Sequence, residues 1–63
     1  MNKQDVKTLD RMTIYGGSFI GKLADAARYA DSNNFQKLKT AFADEFEKYG
    51  ENGIFAKAEK AKK

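Results

Sequence analysis

The chain has no cysteine and no histidine. Without cysteine, disulfides and thiolate metal sites are impossible, and the composition fits a reducing cytoplasm. Without histidine, it lacks the usual transition-metal ligand and the usual acid/base group near neutral pH. No apolar run approaches the ~20 residues that span a bilayer, and no secretory hydrophobic region follows Met1-Asn2-Lys3. These absences predict a soluble, cytoplasmic protein with no metal and no cofactor. They also remove most routes to catalysis. Ser18 has no histidine to act as its base. Asp44, Glu45 and Glu47 are expected on the outer side of a helix, where no cleft can raise a carboxyl pKa. A non-enzyme is therefore expected.

The 63 residues allow one small domain. A chain of this size buries only about 60% of the surface its unfolded form exposes. With disulfides and metal excluded, self-association is the remaining way to gain stability. The formal charge is +3, and its location matters more than its size. Residues 13–50 are neutral overall, and the excess sits in residues 1–12 and 51–63. The basic balance thus says little about the central module and weakens a nucleic-acid reading.

What the sequence does contain is a bulky apolar stripe: Phe35, Leu38, Phe42, Phe46 and Tyr49, at steps of three, four, four and three. That spacing places all five on one face of a helix running from Ser32 to Tyr49. The preceding segment, Phe19 to Ala30, offers mostly small residues: Gly21, Ala24, Ala26, Ala27 and Ala30. Large knobs facing small holes across the turn Asp31-Ser32-Asn33-Asn34 describe an antiparallel helical hairpin over residues 18–50. In that geometry Phe19, Leu23, Ala27 and Ala30 face inward, and Leu23 and Phe42 lie at the centre. Asp31 is expected to cap the second helix, Ser18 the first, and Gly50 to supply a left-handed stop. Gly16-Gly17-Ser18 lacks the lysine of a phosphate-binding loop, so a sharp helix entry is expected there.

The ends are less defined. Val6, Leu9 and Met12 stand at helical spacing after Asp5, so residues 1–13 read as a short helix or an arm. Ile54-Phe55 is expected to fold back onto the open end of the hairpin, followed by the Lys-rich remainder of residues 51–63. The overall expectation is an all-α fold. A single hairpin leaves one side of each helix uncovered, so pairing into a two-fold, dimeric four-helix bundle is expected, with a monomer closed by the terminal segments as the alternative.

Written out, residues 16–49 follow the pattern GGSF-x3-LA-x5-AD-x2-N-x3-L-x2-AF-x6-Y. This pattern resembles a group of small proteins encoded by bacteriophages and prophages, whose function is generally unknown. The resemblance covers roughly residues 14–49, and it implies a phage origin and a fold more than an activity. Relatives often carry proline after the aspartate, where this chain has Ser32.

Two candidate surfaces follow. Lys37 and Lys39 precede Asp44, Glu45 and Glu47 along the second helix, the reverse of what a helix dipole prefers. This bipolar face is a candidate protein-contact site, for a second copy or for a host or phage protein. The alternative is an Asp44–Lys48 pair and a solvated surface. Lys57, Lys60, Lys62 and Lys63 are candidate nucleic-acid contacts, limited to weak, salt-sensitive binding. A membrane-surface role is weaker, because the apolar face of Ile54, Phe55, Ala58 and Ala61 is small. The expected function is a phage-type binding protein, for instance an inhibitor of a host enzyme or defence system. Accessory nucleic-acid binding is the alternative.

Overall fold

In the computed structural model, which describes residues 1–61, the first helix begins at Asn2. The Asn2 side chain accepts from the Asp5 N–H at 2.8 Å, satisfying one of the donors a helix start leaves open. Helix α1 then runs Lys3–Tyr15 and buries Thr8, Leu9 and Met12. It is followed by α2 (Gly17–Tyr29), α3 (Ser32–Ala41), α4 (Ala43–Tyr49) and α5 (Ile54–Ala61). The described residues are all-helical apart from caps and turns, so the all-α expectation holds. Lys62 and Lys63 lie outside the described residues.

Two adjacent glycines join α1 to α2, each for a different reason. Gly17 has φ +76°, a region glycine enters without the steric penalty other residues meet. Gly16 is set by space, because a Cβ there would run into the Ile20 side chain and the Met12 carbonyl. Its own N–H donates to the Met12 carbonyl at 2.9 Å and closes α1. With only Gly16 between them, α1 folds directly back onto α2. Theirs is the most extensive helix–helix contact in the fold. Ser18 is therefore one residue inside α2, and no side chain caps that helix. The expected Ser18 cap is replaced by the glycine turn.

The core accordingly centres on α1. Leu9 and Met12 are 1% and 0% exposed, the largest side chains to be fully enclosed. Around them lie Leu23, Ala24 and Ala27 of α2, with Phe35 and Tyr49. Thr8, buried beside them, donates its hydroxyl to the Gln4 carbonyl at 2.9 Å and so leaves no buried donor unmet. The aromatic stripe does face the core, but unevenly. Its ends, Phe35 and Tyr49, are buried, while Leu38, Phe42 and Phe46 are only partly covered. Phe42 is thus not the centre of the core. Phe19, expected inside, is 66% exposed and meets Phe42 with the rings tilted at 59° and 6.2 Å between their centres.

Phe42 also interrupts the long second helix. Its backbone sits at φ −117°, ψ 40°, outside the helical region. The hydrogen bonds still run through: Phe42 N–H donates to Leu38, and its carbonyl accepts from Phe46 at 3.0 Å. The result is a bend that lets α4 reach α1 while α3 stays beside α2. Asp31 caps α3 as expected, accepting from the Asn34 N–H at 2.8 Å. Gly50 ends α4 at φ −81°, extended and not left-handed. The glycine matters there for space, since a Cβ would lie 2.8 Å from the Phe46 carbonyl oxygen.

Candidate protein-contact surfaces

The bend at Phe42 redistributes the charges expected on one helix face. Lys39 now lies in the last turn of α3, and Asp44 and Glu45 in the first turn of α4, with Lys48 in its last. Lys39, Asp44, Glu45 and Lys48 thus stand at the helix ends the dipole favours, whereas Glu47, in the last turn of α4, does not. The bend relieves the reversed order of a single long helix only in part.

The five residues do not form one surface. Lys39 turns inward, with Nζ 3.4 Å from an Asp5 oxygen and 5.4 Å from the centre of the Phe35 ring. Lys37 stays exposed on the rim of a shallow groove between α2 and α3. Asp44 and Glu47 border a different depression, beside Lys48, Asn52 and Ile54. Glu45 is half-buried. Lys48 lies over the Tyr49 and Phe55 rings, at 5.7 and 5.9 Å. Of the basic tail, Lys57 and Lys60 are exposed on α5, while Lys62 and Lys63 lie outside the described residues.

The groove between α2 and α3 carries the most prominent exposed residue in the chain. It is lined by Ala26, Tyr29, Ala30, Asn34, Lys37, Leu38 and Ala41. Tyr29 is 92% exposed. A mostly apolar lining beside an exposed tyrosine is a surface chemically suited to protein contact, where tyrosine contributes large area at low entropic cost. The groove follows from composition: the alanines of α2 face α3 but are too small to fill the space. Tyr29 escapes the apolar periodicity because it lies beside the Leu23, Ala27, Ala30 row and not on it.

A second constellation joins the chain ends. Phe55 of α5 lies between Tyr15 and Tyr49, with ring centres 4.8 Å from each and planes within 14° and 1° of parallel. Arg11 Nε donates to Glu59 at 2.9 Å, and an Arg11 amino group donates to the Tyr49 carbonyl at 3.3 Å. The Tyr15 hydroxyl donates to the other Glu59 oxygen at 3.2 Å. Desolvation and then this bond to Glu59 raise the Tyr15 phenol above its ordinary value, with the nearby Glu59 charge adding and Arg11 opposing. The Ile54-Phe55 pair divides: Phe55 folds back as expected, and Ile54 remains exposed. Arg11 and Glu59 are 48 residues apart, and no sequence spacing signals their pairing.

Among the described residues, no helix is long and apolar enough to cross a membrane. Comparison with family models, with curated proteins and with solved structures finds no match to this chain.

Proposed function

We propose that the chain is a small phage-type binding protein that acts by direct contact with a host or phage protein, without catalysis. The observation that carries this reading is the α2/α3 groove, where an exposed Tyr29 shares the lining with Ala26, Ala30, Ala41 and Lys37. The absence of histidine and cysteine leaves binding as the better-supplied chemistry. Inhibition of a host enzyme or defence system is one form such contact takes. The reading is tested by quantitative capture from a bacterial lysate with the wild-type chain and with Tyr29→Asp. A protein held by the first and lost from the second supports it. An identical set of captured proteins contradicts it.

The same groove supports self-association into a two-fold dimer of helical bundles. An isologous interface needs a protruding and a receiving group on one patch, and the exposed Tyr29 beside the small Ala26, Ala30 and Ala41 can serve as both. Accessory nucleic-acid binding is the second reading, resting on the exposure of Lys57 and Lys60. A mobility-shift assay that shows no complex at low salt removes it.

A further inference from the structure

The charges along the groove between α2 and α3 define the chemistry its occupant must bring. Phe19, Lys22, Ala26 and Tyr29 follow one another at steps of three, four and three, so they share one face of α2. All four are exposed, Phe19 at 66% and Tyr29 at 92%. Ala26 and Tyr29 line the groove, and Phe19 meets Phe42 at the end of α3, so this face follows the α2/α3 seam. Lys37 lines the groove from α3. Two aromatic rings and two lysines thus accompany the small Ala26, Ala30 and Ala41 along the seam. We propose that this surface takes an acidic segment of a partner protein, whose apolar side chains enter the groove while its carboxylates meet Lys22 and Lys37.

Three observations set the charge of that partner. Among the described residues, no carboxylate lines the groove. Neither Lys22 nor Lys37 takes part in an ion pair among them. The carboxylates nearest to the two lysines in sequence are engaged elsewhere, Asp25 with Arg28 at 3.2 Å and Asp31 with the Asn34 N–H at 2.8 Å. Both cations are therefore uncompensated beside an apolar lining, and a complementary surface supplies negative charge. The lining also favours protein over nucleic acid. Two lysines neutralise at most about two phosphates, which gives weak, salt-sensitive binding, whereas alanine and leucine methyls suit aliphatic side chains. A two-fold pair of chains presents the same lysines to one another, so an acidic segment should displace a second copy from the groove. This assignment rests on the groove being the protein-contact surface proposed above, and it adds the chemistry of the partner.

The test is a selection on the full chain from a displayed library of random linear peptides, keeping those that bind the wild type but not Tyr29→Asp. The selected peptides should be richer in Asp and Glu than the input library, with leucine, isoleucine or aromatic residues among them. Lys22→Glu combined with Lys37→Glu changes two exposed positions and should weaken their binding at least about tenfold at low salt, with the helix content unchanged. Added salt should narrow that difference. Should the charge reversal disturb the helices, Lys22→Gln with Lys37→Gln gives the same readout. Tyr29-dependent peptides that are neutral or basic overturn the proposal and leave the groove as a protein-contact surface. Acidic peptides held equally well by the double variant do the same. A library that yields no Tyr29-dependent peptide overturns both. A thymidylate oligomer that shifts the NMR signals of Tyr29 and Lys37 at concentrations where the selected peptides do not assigns the groove to nucleic acid, and so overturns the proposal too.

Discussion

Met12 makes the strongest case for where this fold keeps its stability. It is wholly enclosed, one turn beyond Leu9, in a helix whose apolar spacing is short and interrupted. Met12→Ala should cost about 2–5 kcal/mol, a large share of what so small a domain possesses. Phe42→Ala, at a partly covered position, should cost less than the 3–5 kcal/mol typical of an enclosed phenylalanine. Urea unfolding of the two variants checks the order, and a reversed order would place the core on the aromatic stripe. The glycines offer a second comparison. Gly17→Ala meets open space but carries φ +76°, so it should destabilise by about 1–2 kcal/mol. Gly21→Ala also meets open space, in the body of α2, and should stabilise by about 0.4–1 kcal/mol. Equal effects at the two positions would deny the conformational argument.

At the scale of elements, what could be read from sequence was what local chemistry decides. Asp31 caps α3 because a carboxylate two bonds from the backbone can reach the Asn34 N–H whatever else happens. Asp31→Ala should therefore cost about 1 kcal/mol, visible as a lower unfolding midpoint. The aromatic row of residues 35–49 was legible as core-facing for the same reason of spacing. The bend at Phe42 was not, since nothing in Ala41-Phe42-Ala43 breaks a helix by propensity. It follows from α4 reaching α1, and only the reversed charge order hinted at it. Val6, Leu9 and Met12 were visible as a helical row, but the docking of Leu9 and Met12 depended on a one-residue turn that no spacing rule reports, and Val6 stays exposed. Tyr29 and the Arg11–Glu59 pair left no periodic trace.

The α5 clasp gives an element-scale test in pH. The Tyr15 phenol is raised above its ordinary value of 10.0, so its neutral form is the one the fold favours. The stabilisation is fully present below that ordinary value and is lost as pH climbs through the raised one. Tyrosinate absorbance should show Tyr15 ionising above its ordinary value in the wild-type chain. Glu59→Gln should lower it part of the way, because the carboxylate supplies the hydrogen bond and the adverse charge while desolvation, the largest cause, remains. An unchanged titration in that variant would mean that Glu59 does not hold Tyr15.

For the molecule as a whole, Tyr29 is the most exposed large hydrophobic side chain among the described residues of a fold built from five short helices. The account makes that residue the centre of a contact surface and the α1–α2 pair the body that presents it. Sedimentation equilibrium of the wild-type chain and of Tyr29→Asp, over a range of concentrations, tests this most directly. The wild-type mass should rise with concentration from 7.1 kDa toward twice that value, while the variant, still helical, stays at 7.1 kDa. Two chains that both remain at 7.1 kDa, or that associate alike, would contradict self-association through Tyr29.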